Sequence, residues 1–218
     1  MVNKSRKKIE SMFDEIAPSY DRLNHLFTLN IDRRWRRKIV TDLSERDVLP
    51  KIILDLASGT GDLTAELLKL NPDKIYSSDI SGNMLELQRK KIPDKRLEVI
   101  QADASDLPFE NKYFDIITIG FGIRNFEHLP DSLAEIRRVL KPEGLLVILE
   151  MFRSGGLKSR LFNIYFGKVM PLIGNMLSKS KYAYSYLFES VDSFLSVKDF
   201  ILICDDAGFR KEYSVNNF

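Results

Sequence analysis

Cysteine is almost absent from this chain: Cys204 is the only one in 218 residues. A single thiol forms no intrachain disulfide and builds no thiolate cage for zinc. Histidine is equally scarce, with only His25 and His128, so no metal is expected. No apolar run follows the basic start MVNKSRKKIESMF, so it does not read as a signal peptide. The longest apolar stretch of helical character, residues 161–177, is broken by Gly167, Lys168, Pro171, Gly174 and Asn175. It is too short and too interrupted to span a bilayer. Charge of one sign is also lacking: the net charge is +2, which gives no ground for expecting nucleic acid. A reducing cytoplasm is compatible with this composition.

What is present is 44% apolar and 29% charged residues, the balance of a soluble globular protein; its length fits one domain with a sizeable core or one domain plus a small appendage. Residues 1–50 read as helices, because Met12, Phe13, Ile16, Leu23, Leu26 and Phe27 recur at helical spacing. Asp32 is placed to cap the next helix at RRWRRKIV. From Lys51 to Glu150 strands and helices alternate. Strands are expected at Ile52–Leu56, KIYSSDI (74–80), LEVIQAD (97–103), YFDIITIGF (113–121) and GLLVILEMF (144–152). Helices are expected at DLTAELLKL (62–70), GNMLELQRKK (82–91) and DSLAEIRRVL (131–140). Near-continuous apolar strands alternating with helices predict an α/β fold, a parallel sheet covered on both faces. Residues 157–207 return to a helical pattern, and RKEYSVNNF at the end reads as one more strand.

The most informative stretch is Asp55-Leu56-Ala57-Ser58-Gly59-Thr60-Gly61-Asp62, between a buried strand and a helix. Small residues there let a ligand approach the backbone at the strand's carboxyl end. A tight structural turn needs the same residues. Thr64 leaves the dinucleotide pattern G-x-G-x-x-G incomplete. Asp62, opening the helix, would repel a diphosphate but suits the cationic amino group of S-adenosyl-L-methionine. Asp79 ends the second strand, where a carboxylate accepts from a ribose diol; a helix cap is its plainer reading. Asp103 ends the third strand and can accept from an adenine amino group.

The order LDLASGTGDLT, SSDISGNML, QADASDLPFENKYFD, ITIGFGIRNF and LAEIRRVLKPEGLLVILE resembles the class I S-adenosylmethionine-dependent methyltransferases. Ala57 in place of the first glycine, Phe121-Gly122-x-Arg124-Asn125, and the opening MFDEIAPSYDRLN are similar to the ubiquinone/menaquinone biosynthesis C-methyltransferases. RLFNIYFGKVMPLIG and YSYLFESVDSF match as well, so the resemblance runs from about Met12 to the end. It implies a Rossmann-like sheet, a helical lid (1–50), and a methyltransferase domain (51–218) with a helical insertion at about 155–195. The family's final strand is expected to be missing here. The implied activity is C-methylation of a prenylated quinol, from demethylmenaquinol to menaquinol or on a ubiquinol precursor, with S-adenosyl-L-methionine as cofactor. Its site is expected at Asp55, Ala57, Gly59, Thr60, Gly61, Asp79, Ile80, Asp103, Ala104 and Gly120. Gly120 stands where many relatives carry Ser.

A quinol carbon becomes nucleophilic when the ring hydroxyl loses its proton, and a nearby cation stabilises that charge. Arg124 is the candidate cation, with Asn125 orienting a ring oxygen. The competing reading has Arg124 paired with a carboxylate to hold a loop. Tyr20, Asn24, Phe121 and Tyr184 are expected against the acceptor, with Asp21 behind them, though Tyr184 and Tyr186 also read as core tyrosines. His25 and His128 are weaker candidates as bases. The run Arg33–Lys38, with Trp35 inside it, suits peripheral contact with the inner face of a membrane, or else a solvated helix face. A homodimer is compatible with the apolar helices. Three other readings remain: a methyltransferase for another small hydrophobic acceptor, a non-catalytic cofactor-binding module, and a nicotinamide-dependent oxidoreductase, against which the missing third glycine and Asp62 argue.

Overall fold

Five apolar runs form a single parallel sheet: β1 (Ile52–Leu56), β2 (Lys74–Asp79), β3 (Leu97–Gln101), β4 (Phe114–Gly120) and β5 (Leu140–Leu149). The computed structural model describes residues 4–46, 51–153 and 181–212. The strand order is β3-β2-β1-β4-β5. The chain therefore builds outward from β1 on one side, then returns to build outward on the other. The order reverses between β1 and β4, and a crevice opens at the strand ends there.

Period-2 alternation sorts the strand residues between two cores. Leu54, Leu56, Ile117 and Ile119 face one way, onto Leu133, Ile136 and Val139 of α5 (Leu129–Val139) and Phe200 of α7 (Val197–Asp206). Ile53, Ile75 and Ile116 face the other way, onto Leu63 and Leu67 of α3 (Asp62–Leu67) and Leu43 of α2 (Ile31–Ser44). Each such side chain, fully buried, contributes roughly 1.5–3 kcal/mol.

The long α1 (Arg6–Phe27) makes a third, smaller core. Ile9, Met12, Ile16 and Ala17 meet Met84 of α4 (Gly82–Lys91) and Tyr186 of α6 (Lys181–Asp192). Pro18 interrupts α1 and has no N–H for the carbonyl four residues back. That carbonyl, on Asp14, accepts instead from Asn83 Nδ2 at 3.3 Å. The Asp14 carboxylate also accepts from Ser81 Oγ (2.6 Å) and Asn83 N–H (3.1 Å). It thus sits at the positive N-terminal end of α4 and fastens α1 beside the sheet.

Several expected boundaries shift. Asp32 does not cap α2: Asn30 holds the N-cap position without a side-chain bond, and Asp32 is buried within the helix. Strand β5 begins at Leu140, not residue 144: between the pairs Phe114–Leu140 and Ile116–Leu145 the register shifts by three extra residues on β5, and this irregularity absorbs Pro142 without breaking the later ladder. The helix before it starts at Leu129, and Glu150–Phe152 are outside the strand. Arg210–Glu212 are not in a strand, and the rest of that expected strand lies outside the described residues. So does the expected insertion as far as residue 180. Among the described residues no helix is long and apolar enough to cross a membrane.

Candidate active site

The loop after β1 is held from beneath. Asp55, fully buried, accepts from Thr64 Oγ1 of α3 (2.6 Å) and Thr118 Oγ1 of β4 (2.8 Å). Burial pushes its carboxyl up to about 6 despite both hydroxyls. Asp55 is therefore a strut behind the crevice and not part of its wall. Above it Ala57 adopts φ +55°, a left-handed conformation costing roughly 1–2 kcal/mol for a residue with a Cβ. The compensation lies across the loop. A Cβ on Gly122 would come within 2.4 Å of the Ala57 Cβ, so Gly122 makes room for alanine where glycine was expected. Gly61 (φ +83°) packs under Gln88, which a Cβ would meet at 2.7 Å.

Two carboxylates mark the ends of adjacent strands. Asp79 accepts from the Gly59 N–H through Oδ2 (2.8 Å) and from the Ser81 N–H through Oδ1 (2.9 Å). Burial raises its carboxyl above the usual range, against these backbone bonds. Asp103 Oδ1 accepts from Ser105 N–H (2.9 Å) and Oγ (2.8 Å), and its Oδ2 lies 3.7 Å from Arg6 Nε. Both carboxylates line a cavity enclosing about 720 Å³, part of it open to solvent. Ala57, Gly59, Ile80, Ala104 and Gly120 line it too. Thr60 and Gly61 do not. Thr60, 3% exposed, donates instead to the Asp21 carboxylate of α1.

The opposite wall comes from distant parts of the chain. Ile9, Phe13 and Tyr20 of α1 face Met84 and Ile80. Tyr20 packs over the glycine loop, 3.9 Å from the position of a Cβ on Gly59. The Tyr20 phenol oxygen is enclosed, and burial raises its pKa, against the pull of Arg124 and a bond to Asn24. Asn24 is not on the wall. Phe121 is on it, in left-handed backbone at φ +61°. Tyr184 falls within α6, but its side chain lies outside the described residues.

Arg124 corrects an expectation. It is 5% exposed and absent from the cavity wall. Its Nη1 donates to Glu150 Oε1 (2.6 Å) and to the Phe121 carbonyl (2.8 Å), and its Nε to Ser190 Oγ of α6 (3.3 Å). The Glu150 side chain is fully covered. This pairing holds the turn Ile123–Asn125, as the competing reading had it. Asn125 does reach the cavity, and its Oδ1 accepts from Tyr186 Oη at 2.9 Å.

Sequence reasoning missed Lys4, Arg6, Phe126 and Glu127 as wall residues. Glu127 accepts from the Arg6 N–H (2.8 Å) at the first turn of α1, a favourable place for an anion. Lys4 lies 5.5 Å from the Phe194 ring, and burial, together with the Arg124 charge, lowers its ammonium pKa. No local signal flagged them, since a basic N-terminal segment looks the same whether solvated or docked.

Asp62 faces away from the cavity. It pairs with Lys91, lies 3.7 Å from Arg36, and lies 3.4 Å from His25 Nε2. Burial favours its neutral form, but the Lys91 bond and the Arg36 charge hold its carboxyl below the usual range. His25 Nδ1 contacts Asp32 at 2.9 Å. His25, Asp32 and Asp62 bring ligand-type atoms within 4.8 Å of one another, yet the Arg36 guanidinium already bonds Asp32 and neutralises the group. His25 is thus committed to an ion cluster outside the cavity. His128 is the N-cap residue of α5 and does not line the cavity either.

A parallel sheet with acidic strand ends, a glycine loop and an apolar wall suits a nucleoside carrying a positive centre, more than a diphosphate. The comparisons with known proteins agree. The profile of the ubiE/COQ5 methyltransferase family matches residues 1–217. A demethylmenaquinone methyltransferase of Chlorobaculum tepidum is 43% identical over 212 residues, covering 95% of this chain and 86% of that one. One from Thermus thermophilus is 41% identical over 211 residues, 95% of each. Among solved structures, an S-adenosylmethionine-dependent methyltransferase of Thermotoga maritima superposes with a TM-score of 0.63 at 19% identity, covering 92% of this chain and 81% of that one. That likeness speaks to the fold.

Proposed function

The chain belongs to the ubiE/COQ5 methyltransferase family, and we propose on that basis that its acceptor is demethylmenaquinol, methylated at a ring carbon to give menaquinol. It is an S-adenosyl-L-methionine-dependent C-methyltransferase of quinone biosynthesis. The relatives named for demethylmenaquinone support this choice of acceptor. One observation carries the reading: a single cavity is lined by Asp79 and Asp103, at and just past the ends of two adjacent strands, and by aliphatic and aromatic side chains of α1.

The bound cofactor supplies an electrophilic methyl on a good leaving group, so no further activation of the donor is needed. The protein's task is then alignment and charge. Asp79 holds the ribose hydroxyls, because it ends β2 with its carboxylate in the cavity. Asp103 and the Ala104 backbone take the adenine edge, and Gly59 and Gly120 let the cofactor approach the backbone. Phe121 and Asn125 border the acceptor ring, with Asn125 orienting a ring oxygen and Tyr186 fixing the Asn125 amide. Arg124 acts from behind, holding the turn that carries Asn125. Lys4 brings the positive charge that Arg124, bound to Glu150, does not offer to the wall. A cation in a water-poor site stabilises developing phenolate far better than water does. Residues 1–50 serve as a lid, tied to the glycine loop through Asp21 and Thr60. Because a prenylated acceptor resides in the bilayer, the enzyme works peripherally at the inner face of the membrane.

The test is product analysis. Purified protein with S-adenosyl-L-methionine and demethylmenaquinol should yield a quinone heavier by one methyl, with the new carbon on the ring. Turnover of generic phenols or sterols with none of demethylmenaquinol would overturn the assignment.

A further inference from the structure

Large exposed apolar side chains are few, and they cluster. Among the described residues four are exposed, and three of these lie at one corner: Leu26 (48%), Leu29 (73%) and Ile31 (41%). They surround the turn between α1 and α2. Asp32 pins that turn from inside, accepting from Thr28 Oγ1 (2.6 Å) and contacting His25 (2.9 Å). Exposed cations border the corner. Arg22 precedes Leu26 by one helical turn, and Arg33 and Arg34 follow Ile31, all three exposed. Among the described residues none of the three is in an ion pair, whereas Arg37 and Lys38 further along have Glu66 and Asp42 beside them. The whole chain carries only +2, so this is a local concentration of positive charge around an apolar tip.

We propose that the α1–α2 corner docks on an anionic phospholipid bilayer, inserting Leu26, Leu29 and Ile31 while Arg22, Arg33 and Arg34 engage the headgroups. Apolar residues rimmed by cations are the surface that enters an anionic interface, since burial and charge attraction add. A second protein of acidic surface would satisfy the cations but would not call for the bare apolar tip. The corner is also continuous with the active site. Helix α1 carries Tyr20 on the cavity wall, and in α2 the Trp35 ring lies 6.0 Å from Phe121 and the Arg36 guanidinium 5.5 Å from it. The hairpin that meets the membrane therefore also borders the pocket. The inference rests on the acceptor being lipid-borne.

The experiment is co-sedimentation of the full chain with vesicles of phosphatidylglycerol and phosphatidylcholine, compared with phosphatidylcholine alone. Binding should require the anionic lipid and weaken with salt. R33Q/R34Q should weaken it by about twenty-five-fold, each cation being worth about fivefold. L29E/I31E should weaken it by about tenfold or more. Both variants should keep wild-type turnover of a tail-less demethylmenaquinol analogue in solution. Undiminished vesicle binding by L29E/I31E, or equal binding to phosphatidylcholine alone, overturns the docking surface. So does loss of a wild-type dimer in these variants with vesicle binding intact, which would make the corner a subunit interface. Failure of the wild-type enzyme to turn over the analogue would count against the acceptor assignment, and vesicle binding would still be read separately.

Discussion

The two walls of the cavity are built on different plans. The floor is local: Asp79 ends β2, Asp103 follows β3 by two residues, and Gly59 follows β1 by three. The opposite wall is assembled from afar. Lys4, Tyr20 and Asn125 all line it; Tyr186 bonds Asn125 directly, and Glu150 and Ser190 hold the turn that carries Asn125 through Arg124. The sheet ladder holds the floor. A few buried side-chain bonds hold the wall, where losing one partner strands another.

The sharpest way to test this contrast is to cut the wall's anchor. Glu150→Ala leaves the buried Arg124 guanidinium without its carboxylate and should cost about 3–5 kcal/mol of stability, read by chemical denaturation. A loss under 1 kcal/mol would mean that Arg124 finds another partner and the wall is not suspended from this pair.

The floor should respond to pH. The Asp55 carboxyl rises from 3.8 to about 6 on folding. A raised folded value means the native state holds the proton more tightly, so this contribution is full below the unfolded value and is lost as pH rises through the folded one. That difference corresponds to about 3 kcal/mol, lost between pH 4 and 6. Asp55→Asn should flatten this component of the stability profile while keeping an oxygen for one threonine. An unchanged pH profile would show that Asp55 is solvated or paired as an ion.

The seam between floor and wall is the Ala57–Gly122 contact. Gly122→Ala should cost about 1–3 kcal/mol through overpacking and weaken cofactor binding, because the glycine loop must give way. Adding Ala57→Gly should restore most of both. Without that rescue, the 2.4 Å approach is not what constrains position 122.

Asp79→Ala should weaken S-adenosyl-L-methionine binding by about 1.5–3 kcal/mol, the worth of hydrogen bonds to a charged acceptor, and hardly touch the KM of the acceptor. Unchanged affinity in calorimetry would remove the ribose from β2. Smallest is Tyr186→Phe, which frees the Asn125 amide at about 0.5–1.5 kcal/mol and should raise the acceptor KM selectively. A shift in cofactor affinity instead would place Asn125 on the floor's side of the cavity.

The floor was legible in the sequence because its chemistry and its position have one local cause. A buried strand must end, and the residues that end it are adjacent in the chain, so the spacing that singled out Asp79, Asp103 and Gly59 also places them on one cavity. Where local rules misled, a tertiary partner had intervened. Asp32 looked like a cap, but His25, Thr28 and Arg36 draw it inward. Asp62 looked free for a ligand, but Lys91, from the helix after β2, takes it.

Periodicity was enough to determine the fold class, since it follows from burial on both faces of a sheet, and the order of the motifs was enough for the resemblance to the family. Only the folded chain decided that Arg124 props a turn behind the cavity wall, that the N-terminal segment lines the cavity, and that three of the four large exposed apolar residues gather at one cationic corner. Those outcomes depend on which charges share a desolvated space, and long-range packing sets that proximity.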